Sequence, residues 1–202
     1  MGSHRPIFMF SLGSKATYTQ INSRINDLYS CKRAVYSYRC GMNRHQFEIA
    51  QWTAAPLQLV SQECFNASAE KIFQSMTDPH LMCSIFPWMD RVTITPNGDK
   101  QASGLGSIRR CQFGNGMVLE EEIIGWWPPS GFAFKGIDHS HPFGMRGHVG
   151  HIFWQQFEGE CHLTWKHYFD HSNPEAMREQ LIESVNAVFS NLKTCFWQRQ
   201  LL

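Results

Sequence analysis

The first candidate for polar chemistry in this sequence is an arginine that faces a glutamate across a short turn. Gly114-Asn115-Gly116 lies between two stretches of strand-like sequence, and such a glycine-containing turn is typical of a β-hairpin. A three-residue loop pairs Arg109 with Glu121. A two-residue loop pairs the same glutamate with Arg110 and pairs Arg109 with Glu122. Either register therefore predicts an ion pair between the two strands.

In the first register, apolar side chains share the strand face of the pair: Cys111, Phe113, Met117, Leu119 and Ile123. We therefore expect Arg109 and Glu121 to lie on the buried, concave face of a sheet. A buried, hydrogen-bonded ion pair can orient a ligand carbonyl or hydroxyl. The alternative is a structural ion pair that shapes the sheet and touches no ligand.

Histidines are the second group of candidates, because an imidazole can act as a general acid or base near neutral pH. Ten occur in the chain, and seven of them lie in its last third: His139, His141, His148, His151, His162, His167 and His171. In the last predicted strand, His167 alternates with Leu163, Trp165 and Phe169. That face is apolar, so we expect His167 to point inward. The alternative role is that of a hydrogen-bonded core histidine.

The preceding strand leaves two possibilities open. A two-residue turn at Glu158-Gly159-Glu160 places His148 on the inner face, whereas a three-residue turn places His151 there. These two histidines have opposite parity in a strand, so they cannot both chelate a metal from one face. We predict no metal site and no cofactor, since no P-loop, nucleophile elbow or complete dinucleotide fingerprint occurs either.

These candidates must be positioned by a mixed domain that begins with a strand at Leu57–Phe65. Two short helices follow, one capped by Ser68 and one beginning at Asp78-Pro79. Apolar residues predict the buried face of the second helix: Leu81, Met82, Ile85, Phe86 and Met89. Strand signals then follow in series at 91–95, 107–113, 117–127, 132–137, 145–157 and 161–170, with a turn cluster at 96–99.

A long helix closes the domain, capped by Ser172 or Asn173. Its apolar residues form one stripe at helical spacing: Met177, Leu181, Val185, Val188, Phe189, Leu192 and Phe196. A run of hairpins cannot bury both of its faces by itself. The amphipathic helix is therefore the natural cover for one face of the sheet.

This order of elements resembles the helix-grip fold of the START-related SRPBCC superfamily, in particular its polyketide cyclase/dehydrase-like branch. The resemblance covers roughly residues 57–200. The motifs that carry it are Gly106-Ser107-Ile108-Arg109, Gly114-Asn115-Gly116, Glu121, Trp126-Trp127-Pro128-Pro129, Thr164-Trp165 and Tyr168-Phe169. It implies an α+β fold in which a curved antiparallel sheet of about six or seven strands wraps around a long C-terminal helix.

The resemblance also implies an internal cavity that binds a hydrophobic small molecule, such as a polyketide, a lipid or an aromatic metabolite. We expect Arg109, Glu121, Phe113, Phe134, Leu163, Trp165 and Phe189 to contact the ligand. In a cyclase or dehydrase, His167 with His148 or His151 would do acid–base chemistry. In a non-catalytic carrier or sensor, the same groups would only anchor the ligand. A third alternative, a protein-binding module, needs an exposed apolar patch, for which Trp126-Trp127 is the candidate.

Composition limits the remaining classes of function. The chain has 202 residues, 43% hydrophobic and 17% charged, with 27 aromatic residues. These values indicate a folded core, and the aromatic content suits either a small-molecule pocket or a solid interior. The net charge of +1 lacks the basic footprint of a nucleic-acid-binding protein, and no apolar run reaches the roughly 20 residues of a membrane span.

Residues 1–50 read as an N-terminal extension to a domain at 51–202. Residues 1–41 contain six Lys/Arg and a single acid. This segment fits a transit peptide, a stretch upstream of a start at Met42, or a partner-binding arm. The seven scattered cysteines form no CxxC pair and indicate reduced thiols, so we predict a cytoplasmic protein, or an organellar one if the transit peptide is real.

Overall fold

A computed structural model describes residues 47–96 and 104–198 of the chain. Seven strands form one antiparallel sheet: β1 (Leu57–Phe65), β2 (Met89–Thr95), β3 (Ile108–Phe113), β4 (Val118–Trp127), β5 (Gly131–Gly136), β6 (Arg146–Gln156) and β7 (Cys161–Asp170). The helices are α1 (Ala69–Thr77), α2 (Pro79–Ile85) and α3 (Pro174–Gln198). The predicted α+β class and order of elements are therefore confirmed. The expectations for residues 1–41 and most of the turn cluster at 96–99 lie outside the described residues.

The strand order across the sheet is β1-β7-β6-β5-β4-β3-β2. Each strand after β1 therefore pairs with its neighbour in the chain, and β1 closes the far edge against β7. This follows from the short hairpin turns that separate β3 from β4 and β6 from β7, because short loops join antiparallel neighbours.

Side chains cap the N-termini of the three helices at the residues that the sequence predicts. Ser68 accepts a hydrogen bond from the backbone N–H of Lys71, and Asp78 accepts from the N–H groups that open α2. Asn173 caps α3 through the N–H of Ala176 at 3.2 Å. The second helix is shorter than its apolar pattern suggested, since it ends at Ile85.

The residues after α2 were predicted to continue its buried face, and two of them lie in other structure. Phe86 has an extended backbone, and Met89 begins β2. Both are nevertheless buried in the core. Pro87 follows Phe86 directly, and a residue before proline avoids the helical conformation, which explains the early end.

One face of the sheet, called here the inner face, packs against α3. Phe65 of β1 contacts Phe189 and Phe196 of α3, with ring centroids 5.8 and 6.2 Å apart. The predicted stripe of α3 is buried apart from the half-buried Leu181. The inner face, α1, α2 and α3 together form the main core cluster.

The opposite face, called the outer face, carries a smaller apolar cluster of Ile124, Ala133 and Val149. Residues 47–52, which include a single 3-10 turn at Ile49–Gln51, pack on it. No helix in residues 47–96 and 104–198 is long and apolar enough to cross a membrane.

Candidate functional site

The β3–β4 hairpin has the three-residue loop, so Arg109 lies directly opposite Glu121. The N–H of Phe113 donates to the carbonyl of Met117 at 2.9 Å, and Gly116 takes a φ of 83° that glycine tolerates well. Arg109 Nη2 and Nε lie 2.5 and 2.7 Å from Glu121 Oε2. Both side chains are buried on the inner face, as expected.

Arg109 is enclosed by apolar and polarisable groups. Its Cζ lies 5.4 Å from the ring centroid of Phe132 and 5.3 Å from that of Phe134, while Nη1 lies 3.5 Å from the sulfur of Met82. Burial lowers the pKa of Arg109, but the charges of Glu121 and Cys111 and their hydrogen bonds together outweigh it, so the net pKa is raised. The guanidinium therefore stays charged inside the core.

The β6–β7 hairpin selects between the two candidate histidines of β6. Gly150 pairs with His167 and Ile152 with Trp165, which is the register of a two-residue turn. His148 is consequently on the inner face and 3% exposed, as one of the two alternatives predicted. His151 lies on the outer face against Phe47, so its proposed place at the inner site is wrong.

Three buried histidines form one hydrogen-bonded chain across the inner face. His141 Nε2 lies 3.0 Å from His148 Nδ1, and His148 Nε2 lies 3.2 Å from His167 Nδ1. The sequence singled out His148 and His167 for this face but not His141. Nothing in the sequence shows how the loop before β6 folds back, so it gave no signal for His141.

The loop that carries His141 is held against the sheet. A 3-10 turn at Asp138–Ser140 precedes it, and Asp138 accepts a hydrogen bond from the backbone N–H of Gly147 at 2.9 Å. Gly136 leaves room for the imidazole, because a Cβ there would come 2.8 Å from His141 Cδ2. These features bring His141 to the end of the histidine chain.

Burial keeps the three histidines neutral. It lowers the pKa of His167 to about 3 and that of His141 to about 4. The charge of Asp138 opposes the shift in the pKa of His141, and His171 adds to it. The pKa of His148 is lowered well below its ordinary value by burial and then by its two histidine neighbours. The low dielectric of the interior disfavours the imidazolium form.

Three buried nitrogen atoms at this site have no hydrogen-bond partner among residues 47–96 and 104–198: Trp165 Nε1, His167 Nε2 and His141 Nδ1. Trp165 and His167 are stacked neighbours on the inner face of β7, with ring centroids 4.9 Å apart. Trp154 differs, since its Nε1 donates to the carbonyl of Pro129. Most buried polar atoms in proteins are paired, so these three mark a place where a partner is missing.

Phe134 lies between the ion pair and the histidine chain. Its ring centroid is 5.3 Å from Arg109 Cζ and 5.6 Å from the ring of His148. The ring fits over Gly150, where a Cβ would come 2.2 Å from Phe134 Cζ. The structure therefore holds the two polar groups on one face, on strands to either side of Phe134.

The other residues proposed to contact a ligand belong to the same core. Phe113, Leu163 and Phe189 are all buried in the main cluster. Phe113 stacks edge-on against Phe143 at 5.4 Å, and Phe189 packs against Phe65. Each of them faces the interior from a different element.

Trp126 and Trp127, the candidate for an exposed apolar patch, are half-buried. Successive side chains of a strand point to opposite faces. Trp126 packs on Phe73 at 4.9 Å, and Trp127 packs on Phe47 at 5.1 Å. An open groove of about 280 Å³ lies beside them, partly lined by Trp52 and Leu105.

A group of potential metal ligands lies away from this site. Cys64 of β1 is opposite His162 of β7, and donor atoms of Cys64, Glu160 and His162 lie within 4.8 Å of one another. His162 Nε2 is 2.6 Å from Glu160 Oε1. No local pattern marks this group, because only strand pairing brings Cys64 to a residue almost a hundred positions later.

No protein-family model matches the chain, and comparison with curated proteins found no match. Solved structures do resemble it. The Bacillus cereus protein XoxI superposes with a TM-score of 0.59 at 12% identity, covering 70% of this chain and 96% of that one. The Mesorhizobium loti protein MLL2253 gives 0.58 at 14% identity, covering 69% and 96%.

A plant protein shows the same likeness. The major latex-like protein 151 of Panax ginseng has a TM-score of 0.54 at 15% identity, with 67% of this chain and 94% of that chain covered. At such identities the likeness concerns the fold. The seven-stranded antiparallel sheet packed on a long C-terminal helix is therefore the helix-grip fold that the sequence motifs resemble.

Proposed function

We propose that this protein binds a hydrophobic small molecule that carries a hydroxyl or carbonyl oxygen, held between the inner face and the helices. The observation that supports it is the pair of unpartnered nitrogens on Trp165 and His167. A buried polar group without a partner costs about 1–3 kcal/mol. An oxygen of a bound ligand would meet both nitrogens and remove this cost.

The surroundings of the two nitrogens suit an apolar ligand. Trp165 and His167 lie beside Leu163 and Phe169 on β7, both of which are fully buried. Small-molecule sites generally combine an apolar lining with a few polar groups that fix orientation. The proposed ligand therefore has an apolar body and one polar oxygen.

Access to the nitrogens requires a side chain to move. Phe86, which follows α2, packs edge-on against Trp165 with ring centroids 6.3 Å apart. The segment from α2 to β2 is short and connects elements rather than crossing the core. We propose that the ligand enters by displacing Phe86.

Binding is favoured over catalysis by the separation of the two polar groups. Cyclisation or dehydration of a ketone would use an imidazole and the Arg109–Glu121 pair on one reacting centre. Phe134 stands between them, and Glu121 already occupies the guanidinium. We therefore propose a carrier or sensor, with the ion pair shaping the wall of the site.

The test is equilibrium dialysis with 2-naphthol and with 2-methylnaphthalene, which has the same apolar body but no hydroxyl. The wild-type protein is expected to bind both, and 2-naphthol about 2- to 10-fold more tightly, the worth of one neutral hydrogen bond. Trp165→Phe should reduce that preference, because the hydroxyl keeps only His167 Nε2 as a partner, and it should retain the apolar affinity. Trp127→Phe, on the outer face, is the matched control and should keep it.

Two results would contradict the proposal. One is the absence of binding of either compound. The other is an unchanged preference for 2-naphthol in Trp165→Phe, which would mean that the hydroxyl lies elsewhere or that a water molecule fills the site.

We also propose a cytoplasmic location. Cys83, Cys111, Cys161 and Cys195 form no disulfide with any residue that the structure describes. Free thiols are typical of reducing compartments. Detection of the native protein by cell fractionation tests this location, and recovery from an organelle would favour the transit-peptide interpretation of residues 1–41.

A further inference from the structure

The three imidazoles of the histidine chain are joined through both nitrogens of the central ring. His148 Nδ1 contacts His141 Nε2, and His148 Nε2 contacts His167 Nδ1. A neutral imidazole has one N–H donor and one acceptor nitrogen. His148 therefore donates to one neighbour and accepts from the other.

This rule locks the tautomers of all three rings together. If His148 carries its proton on Nδ1, it donates to His141 and accepts from His167, so both neighbours also carry theirs on Nδ1. If His148 carries its proton on Nε2, all three rings are protonated on Nε2. The chain thus has two neutral states, which differ by the shift of one proton along each bond.

The ends of the chain differ between the two states. In the first, His141 Nδ1 is a donor and His167 Nε2 is a lone pair; in the second, these roles are exchanged. Both end atoms are buried and have no protein partner. A proton accepted at one end can therefore leave at the other without an imidazolium ion forming at equilibrium.

We propose that His141, His148 and His167 form a proton relay that exchanges the hydroxyl proton of a bound phenol or enol with solvent. The choice of ligand rests on the proposed function, whereas the relay itself rests only on the geometry of the three rings. The relay requires a narrower class of ligand than the proposed function does, since an ether, an ester or a hydrocarbon has no exchangeable hydroxyl proton.

The proton moves as follows. His167 Nε2 takes the ligand proton while His167 Nδ1 gives its own to His148 Nε2. His148 Nδ1 then gives a proton to His141 Nε2, and the buried His141 Nδ1 gives one to a water molecule that enters beside the half-buried His171. The ligand oxygen is left as an anion that accepts from His167 Nε2–H and Trp165 Nε1–H, and reversal restores both the ligand and the chain.

The surroundings of each end suit this direction. Asp138 and His171 are the titratable groups whose charges act on His141. His171 is half-buried, so this end lies near water. At the other end, Trp165 stacks on His167 and Gly150 pairs with it, and neither adds a charge. The relay therefore connects the interior to the surface loop before β6.

The first test needs no ligand. Nitrogen-15 NMR of histidine-labelled full-length protein distinguishes protonation at Nδ1 from protonation at Nε2 in each ring. We expect His141, His148 and His167 to show the same tautomer, or the same mixture of tautomers. A stable mixed pattern, with one ring protonated on Nδ1 and its neighbour on Nε2, would overturn the relay whatever the protein binds.

The second test uses 2-naphthol, whose hydroxyl becomes strongly acidic in its excited state. In the wild-type complex, the relay should remove that proton, so the bound probe should emit mainly as naphtholate. His148→Gln keeps a donor and an acceptor but cannot tautomerise, so it should lose most of the naphtholate emission. His151→Gln, on the same strand but the outer face, should retain it.

The two tests separate failure of the relay from failure of the binding site. If His148→Gln keeps full naphtholate emission while it still binds the probe, the relay is overturned. If the wild-type protein binds neither 2-naphthol nor 2-methylnaphthalene, the proposed function fails, and the tautomers measured by NMR decide the relay alone. A His148→Gln variant that does not fold leaves the NMR result on the wild-type protein decisive.

Discussion

Arg109 Nη2 lies 2.5 Å from Glu121 Oε2 across the β3–β4 hairpin, and each side chain is more than nine-tenths buried. A buried ion pair gains Coulomb energy in the low-dielectric interior but loses the hydration of both ions. The two charges therefore depend on each other far more than a surface pair would.

Removing one charge of the pair should lower the free energy of unfolding much more than removing both charges. We expect Glu121→Gln to lower the free energy of unfolding by about 3–5 kcal/mol, because Arg109 remains buried without a counter-charge. The double variant Arg109→Met with Glu121→Leu should recover most of this loss. Urea unfolding measures both. An equal loss in the single and double variants would contradict this account of the pair.

The same variants decide whether the pair contacts a ligand. Since Phe134 separates Arg109 from the histidines, we expect the folded double variant to bind 2-naphthol as the wild type does. Equilibrium dialysis checks this. A large loss of affinity in a protein of normal stability would show that Arg109 or Glu121 anchors the ligand.

Substitution by phenylalanine should lower the free energy of unfolding by different amounts at the two inner-face tryptophans. Trp154 Nε1 donates to the Pro129 carbonyl, whereas Trp165 Nε1 has no partner. Both rings are almost fully buried, so Trp→Phe removes a similar apolar volume. We expect Trp154→Phe to cost about 1 kcal/mol more, the value of one hydrogen bond. Equal unfolding midpoints for the two variants would mean that Trp165 has a partner in solution.

Close packing over Gly150 gives a further prediction. A Cβ at this position would come 2.2 Å from Phe134 Cζ, inside the sum of the atomic radii. Gly150→Ala should therefore lower the free energy of unfolding by about 1–3 kcal/mol through overpacking. Gly114→Ala is the control, since its Cβ would meet nothing nearer than 3.5 Å. Similar thermal midpoints for both variants would contradict the packing of Phe134.

The neutral histidines make the stability of the fold depend on pH. Their pKa values in the folded protein lie below the ordinary value of 6.5, at about 4 for His141 and about 3 for His167. The unfolded chain therefore binds more protons below pH 6.5. Their contribution is complete above that pH and is lost progressively as the pH falls toward 4 and 3.

Each buried histidine should remove about 1.4 kcal/mol of stability per pH unit in this window. His167→Gln should flatten the dependence of the urea midpoint on pH between 6.5 and 4. His162→Gln replaces a half-exposed histidine that is not part of the histidine chain, and it serves as the control. If His167→Gln showed the wild-type slope, the imidazole of His167 would not be held neutral in the fold.

The sequence alone predicted the elements and one of the two polar groups. Period-two stretches, glycine turns and capping residues such as Ser68 and Asp78 are local signals, and local hydrogen bonds enforce them. An Arg–Glu pair across the β3–β4 hairpin was predicted for either length of the turn, because a hairpin register is set by residues within a few positions of each other. The structure selected Arg109 with Glu121. The order of elements was therefore readable from local signals, whereas the arrangement of the sheet around the long helix was what the resemblance implied.

Tertiary structure decided the rest of the candidate site. Whether His148 or His151 faces inward depended on one residue in the β6–β7 turn, which the sequence could not settle. His141 joins the histidine chain because its loop folds back against Gly136, at the end of the strand that precedes the loop. Trp165 Nε1 and His167 Nε2 lack a partner because no described side chain packed around them reaches either atom. Such properties arise from packing between distant segments, so no local pattern in the sequence encodes them.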